Sequence, residues 1–111
     1  MEESKYVRIT TFGDNKAIMS IIAVTLIEER LAASTHTDKV VSSYWWKEKV
    51  VDTEEYRLEI ITKRAVIDEV VNVIRKIHTY ETPEIQIDNH YTLNKDIETW
   101  IDKNVRWKQE L

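Results

Sequence analysis

His78, Tyr80 and Glu84 lie close together along the chain and are its best candidates for metal chemistry. An imidazole and a carboxylate suit Cu²⁺ or Zn²⁺, so His78 and Glu84 are the candidate ligands. A lasting site usually needs three or four ligands, so the remaining donors would have to come from a second subunit or from water. The alternative is that His78 ends a helix, where the helix dipole favours it, and hydrogen-bonds locally.

A second group combines aromatic and basic residues. Tyr44 and Trp46 would share one face of a strand, because alternate residues point the same way. Together with Tyr80 they would line a cleft between subunits, in which Lys49 and Lys63 supply positive charge for an anion. The alternative is that these aromatic side chains simply pack in a subunit interface, where aromatic residues are common.

Other kinds of site have little support. The chain has no cysteine and one glycine, so thiolate chemistry and glycine-rich phosphate loops are not expected. It also lacks the G-x-S-x-G motif of a serine nucleophile. The pairs Glu28-Glu29 and Glu54-Glu55 are expected to be solvated, and His36 and His90 to lie in turns without a role. We therefore predict no catalytic residues and no enzyme.

Composition limits the remaining classes. A chain of 111 residues with 42% apolar residues fits one domain, residues 1–111. Its net charge of −4 opposes phosphate backbones, so no nucleic-acid partner is expected. No apolar run is long enough to cross a bilayer, and the cytoplasm is the expected location. Without disulfides, oligomerisation is a plausible source of additional buried surface.

The elements that must position these residues alternate between strands and helices. The apolar periodicity predicts a strand over residues 6–12, a helix over 17–30, two strands within 40–63 that meet near 47–52, a helix over 65–78, a strand after Pro83 and a helix over 96–107. In the second strand of the hairpin, Leu58 and Ile60 would face the core, and Glu55 and Lys63 the opposite side. This order is the α+β, ferredoxin-like βαββαβ arrangement with an antiparallel sheet and an added C-terminal helix.

The central hairpin is too long for the other strands. Unpaired strand edges of this kind are normally hidden by pairing with a neighbour. The sequence therefore predicts a sheet that continues between subunits.

Several segments resemble the CutA1 (divalent-cation tolerance) family, in the right order along the chain. They are Glu29-Arg30-Leu31-Ala32-Ala33, Ser42-Ser43-Tyr44-Trp45-Trp46-Lys47-Glu48-Lys49, Ile61-Thr62-Lys63, His78-Thr79-Tyr80-Glu81-Thr82-Pro83-Glu84 and Trp100-Ile101. The resemblance implies a homotrimer of the type seen in PII signalling proteins. It also implies a role in tolerance of divalent cations, copper in particular.

Two departures from the family pattern bear on these expectations. Ser34 replaces the usual cysteine and removes the softest candidate copper ligand, and Glu48 replaces a glycine in the hairpin. The leading hypothesis is therefore a trimer that binds copper or another divalent cation weakly. The alternatives are a PII-like module for a small anionic metabolite and a protein-interaction scaffold without a ligand.

Overall fold

The computed structural model describes residues 3–106 of the chain. The elements are β1 (Tyr6–Gly13), α1 (Lys16–Glu28), β2 (Ser34–Trp46), β3 (Lys49–Lys63), a 3₁₀ turn (Arg64–Val66), α2 (Ile67–Ile77), β4 (Ile85–Asn89) and α3 (Lys95–Asn104). The predicted domain over residues 1–111 therefore includes ends that lie outside the described residues. Trp107, which the last predicted helix included, is one of them.

The four strands form one antiparallel sheet in the order β2-β3-β1-β4. This confirms the predicted ferredoxin-like βαββαβ arrangement with its C-terminal helix. β1 is central and pairs with β3 from Tyr6 opposite Lys63 to Gly13 opposite Tyr56. β4 pairs with the other edge of β1, so β2 and β4 are the outer strands.

The core lies between one face of the sheet and helices α1 and α2. On that face, alternate residues of β1 and β3 are almost fully buried, as the predicted alternation requires. The main core side chains of the sheet and these helices are Val7, Ile9, Met19, Ile22, Leu26, Leu58, Ile60, Val70 and Ile74. Asn15 begins α1, because its side-chain oxygen accepts a hydrogen bond from the backbone N–H of Ile18 at 3.1 Å.

The β2–β3 hairpin is longer than the rest of the sheet, as predicted. Its strands pair from Ser34 opposite Ile61 to Trp46 opposite Lys49, whereas β1 covers β3 only from Tyr56 to Lys63. Residues 40–46 and 49–55 therefore project past the end of β1, and we call them the hairpin extension. Its turn places Lys47 and Glu48 at φ of 49° and 65°, the left-handed values of a type I′ turn.

Three sequence expectations need correction on the open face of the sheet, opposite α1 and α2. Lys63, expected to supply positive charge in a cleft, is fully buried opposite Tyr6. Glu55, also expected to be solvated, is only 5% exposed. His36 lies inside β2 opposite Glu59, not in a turn. The open face is covered in part, because Tyr6 hydrogen-bonds to a residue of α3 and the end of β3 contacts that helix.

Helix α3 buries Ile101, and Val105 directly after it is buried as well. The hydroxyl of Tyr6 donates a hydrogen bond to Asp102 of this helix at 3.1 Å. None of the helices in the described part of the chain combines the length and the apolar character that crossing a bilayer requires.

Candidate functional site

A cavity of about 770 Å³ lies between the hairpin extension and the segment that joins α2 to β4. We call it the hairpin cavity. Its lining consists of Phe12, Ser42, Ser43, Tyr44, Trp45, Trp46, Glu55, Thr79, Tyr80, Glu81, Thr82, Glu84 and Gln86. Most of the residues that the sequence singled out are therefore brought to one place by the fold.

The register of the hairpin explains the wall that β2 and β3 provide. Ser42 pairs with Thr53 and Tyr44 with Val51, so the even-numbered residues of this part of β2 share a face with Glu55. The hydroxyls of Tyr44 and Thr53 lie 3.1 Å apart on that face. The alternation predicted from the sequence thus holds, with Tyr44 and Trp46 on the face that Glu55 occupies.

The opposite wall of the cavity is the segment between α2 and β4, and His78 fixes its position. It is the residue directly after α2 and is buried, with backbone angles of φ −60° and ψ 141° that turn the chain away from the helix. Its Nε2 lies 2.7 Å from the carbonyl oxygen of Phe12, and its Nδ1 accepts a hydrogen bond from the backbone N–H of Tyr80 at 3.0 Å. Because Nδ1 is an acceptor, the ring proton belongs on Nε2, which donates to Phe12.

Gly13 allows the ring of His78 to come this close to β1. A Cβ atom at this position would lie 2.5 Å from the sulfur of Met19 and 3.3 Å from the His78 ring. The single glycine of the chain is therefore required by packing beneath the site.

Tyr80 and Glu55, which both line the cavity, are hydrogen-bonded to each other. The Tyr80 hydroxyl donates a hydrogen bond of 2.6 Å to Oε2 of Glu55. Burial, and next this hydrogen bond, raise the pKa of the Tyr80 phenol well above its usual value. The ring of Tyr80 also lies against that of His78, with centroids 4.7 Å apart. Sequence reasoning missed Glu55, although its shared face with Tyr44 was a signal that could have indicated it.

The predicted site residues separate into two groups. Tyr44, Trp46, Tyr80 and Glu84 line the hairpin cavity. Lys49 and Lys63 do not: Lys49 pairs with Trp46 beside the turn, and Lys63 lies at the far end of β3. The cavity of one chain therefore lacks the positive charge of these two lysines.

Charge in the cavity is therefore negative. Glu55, Glu81 and Glu84 line it, and the described residues that line it include no lysine or arginine. Within one chain, Lys49 and Lys63 therefore do not supply positive charge to this cavity, and the anion site predicted between subunits stays a prediction.

The proposed metal ligands are not arranged as a metal site within one chain. Both ring nitrogens of His78 are engaged in hydrogen bonds, and Glu84 is exposed. Across residues 3–106, no group of three or more histidine, aspartate or glutamate side chains is placed to hold a metal ion. A neutral imidazole whose nitrogens are both hydrogen-bonded does not fit the role of a ligand without rearrangement.

Known proteins are similar to this chain in sequence and in fold. The family described as CutA1 divalent ion tolerance protein matches residues 6–104. The divalent-cation tolerance protein CutA of Thermotoga maritima is 32% identical over 101 residues, which cover 91% of this chain and 92% of that protein. That of Pyrococcus horikoshii is 27% identical over 92 residues, covering 83% and 89% of the two chains.

Solved structures agree with the sequence comparison. CutA from Xylella fastidiosa superposes with a TM-score of 0.88 at 26% identity, covering 93% of this chain and 100% of that one. The periplasmic divalent cation tolerance protein CutA from Archaeoglobus fulgidus gives a TM-score of 0.87 at 26% identity, covering 91% and 99% of the two chains. The chain therefore belongs to the CutA1 divalent ion tolerance family.

Proposed function

We propose that this protein acts in divalent-cation tolerance as a homotrimer that binds copper or another divalent cation weakly and has no catalytic activity. The observation that carries the proposal is the hairpin extension, which projects beyond β1 and exposes large apolar side chains. The exposed fractions of Val41, Trp45 and Val50 are 74%, 74% and 65%. Apolar surface on this scale is typical of a subunit interface, and the resemblance to CutA1 proteins implies that three chains form it.

Weak metal binding follows from the donors that one chain can offer. Glu81 and Glu84 are exposed carboxylates in the cavity lining. His78 can join them only if Nδ1 gives up its hydrogen bond from Tyr80, which costs about 1 kcal/mol or more. We propose that metal is held by Glu84, by His78 after this change, and by donors from a neighbouring chain or water.

The oligomer is tested first. Light scattering coupled to size exclusion, at micromolar protein, is expected to give a mass three times that of the 13.2 kDa chain. Particles of the mass of one chain would overturn the trimer and the shared metal site with it.

Metal binding is tested by calorimetric titration of Cu²⁺ and Zn²⁺ into the same sample. His78→Ala and Glu84→Gln should each weaken binding, with Glu28→Gln as a control, because Glu28 ends α1 and does not line the cavity. Because His78→Ala also removes two hydrogen bonds, Glu84→Gln separates loss of a ligand from loss of folding. Unchanged binding by Glu84→Gln would remove the cavity from the proposal.

The hairpin cavity favours a second candidate function, in which the protein is a non-catalytic effector module. Its volume is within the usual range for small-molecule sites, about 300–1,000 Å³. A thermal-shift screen tests it, since a ligand that binds only the folded protein raises the apparent stability. If no compound shifts the melting temperature, a protein-interaction scaffold is the better description.

The remaining parts of the proposal concern partners and location. The net charge of −4 supports a protein without a nucleic-acid partner, and we propose the cytoplasm as the compartment. Cell fractionation with an antibody against the protein tests the location, and a membrane or periplasmic fraction would overturn it.

A further inference from the structure

We propose that the hairpin cavity is a site for an organic cation, an alkylammonium group held between aromatic rings and the buried carboxylate of Glu55. This inference deepens the effector-module candidate and is independent of the trimer and of metal binding. It replaces the anion that the sequence suggested, because the lining has the opposite charge.

The aromatic part of the lining suits a cation. Phe12, Tyr44, Trp46 and Tyr80 lie around the cavity, and the faces of such rings attract cations through their quadrupoles. Trp46 already has one such contact, because the ammonium of Lys47 lies 5.8 Å from its ring centroid. This contact comes from a side chain in the exposed turn, which a ligand cation can displace or complement.

Glu55 supplies the charge at the bottom of the site. It is 5% exposed, and Tyr80 donates to Oε2 only. Within the described part of the chain, Oε1 receives no hydrogen bond from a protein donor. Oε1 is not one of the fully buried polar atoms that lack a partner, so it stays open to the cavity. An ammonium group in the cavity can pair with it, whereas an anion would be repelled.

The outer lining agrees with the same ligand class. Glu81 and Glu84 are exposed, and Oε1 of Glu84 accepts a hydrogen bond from Gln86 at 3.2 Å. These carboxylates would attract a cation toward the cavity and repel an anion. The cavity therefore has negative charge both at its mouth and at its base.

The test compares two probes of nearly the same shape, choline and 3,3-dimethyl-1-butanol, which lacks the charge. Each is titrated into the assembled protein and followed by tryptophan fluorescence and calorimetry. Choline is expected to bind at least about tenfold more tightly than the neutral probe, which is the size of a desolvated cation–π and carboxylate contribution. Equal binding, or binding of neither probe, would overturn the inference, and so would preferential binding of acetate or inorganic phosphate.

Three variants locate the site. Glu55→Gln and Trp46→Leu should each weaken choline binding by about fivefold to tenfold. Glu54→Gln removes the same charge from the neighbouring residue, which does not line the cavity, and should bind choline like the parent protein. Thermal melts identify any variant that fails to fold. If Glu55→Gln does not fold, Trp46→Leu provides the test.

The mass and the metal affinity of the same samples separate this inference from the proposed function. If the protein forms the trimer and binds metal as proposed but does not bind choline, the cation site alone is overturned. Choline binding by a protein of single-chain mass would support the cation site and overturn the trimer.

Discussion

The hydroxyl of Tyr80 lies 2.6 Å from Oε2 of Glu55, and this hydrogen bond joins the two walls of the hairpin cavity. Tyr80 belongs to the segment after α2, whereas Glu55 belongs to the hairpin extension. His78 anchors that segment to Phe12 at the end of β1. The position of the extension relative to the rest of the sheet is thus fixed by side-chain hydrogen bonds in addition to the strand register.

Removing the Tyr80 hydroxyl should destabilise the protein. Tyr80→Phe leaves the buried carboxylate of Glu55 without its donor, so we expect the free energy of unfolding to fall by about 1–3 kcal/mol. Urea unfolding measures it. The control is Tyr44→Phe, whose hydroxyl contacts Thr53 at an exposed position and should cost less than about 1 kcal/mol. Equal losses in the two variants would contradict the importance of the Tyr80–Glu55 contact.

The turn of the hairpin offers a stabilising change. Glu48 has a φ of 65°. This backbone conformation is unfavourable for a residue with a Cβ atom, whereas glycine adopts it readily. Glu48→Gly should therefore raise the free energy of unfolding by about 0.5–1 kcal/mol, measured by urea unfolding. Glu54→Gly is the control, since Glu54 lies in a regular strand opposite Val41. A loss of stability in both variants would show that the left-handed turn carries no strain.

Local sequence patterns predicted most of the fold. They could not predict which residues of the open face are buried, because that depends on tertiary packing. Alternation in β1 and β3 identified the core face correctly, because side chains of a strand alternate whatever surrounds them. It could not show that α3 and the segment after α2 would cover parts of the other face. Glu55 was therefore expected in solvent and Lys63 in a cleft, and the structure buries both.

The candidate site was predicted in the same uneven way. The residues of the cleft were identified from their types and from neighbouring positions, so Tyr44, Trp46, Tyr80 and Glu84 were found. The charge of the cleft within one chain was not predicted correctly, because the position of a lysine relative to a cavity depends on strand register. His78 and Glu84 had the right types for a metal site, but the structure shows the alternative, in which His78 ends a helix and Nδ1 hydrogen-bonds locally to Tyr80. The contact of Nε2 with Phe12 was not predicted, because it joins distant parts of the chain.

Alkaline pH should weaken the protein through Tyr6. Burial, and next the hydrogen bond to Asp102, raise the pKa of this phenol from 10 to about 12. The unfolded chain loses the proton first, so the contribution is complete below about pH 10 and is lost as the pH rises to about 12. Above that pH the loss amounts to about 3 kcal/mol.

The comparison of the parent protein with Tyr6→Phe tests this dependence. Urea unfolding at about pH 9 and about pH 11 should show that stability falls more steeply with pH in the parent protein. The burial of Tyr80 leaves a second alkaline contribution in both proteins. Identical slopes would mean that Tyr6 titrates alike in the folded and unfolded states.

The outer face of the hairpin extension should determine the oligomeric state. Trp45 pairs directly with Val50 and shares its face with Val41, so the three form one exposed apolar strip. A charge within a buried interface is costly, and Trp45→Glu should therefore shift the mass in solution from three chains toward one. Light scattering over a dilution series measures the shift.

Ile21→Glu is the matched control for that experiment. Ile21 is 50% exposed on α1, which packs on the other side of the sheet from the cavity. Introducing the same charge there should leave the mass unchanged. Dissociation by both variants would assign the interface to a surface that includes α1, and dissociation by neither would separate the exposed strip from assembly altogether.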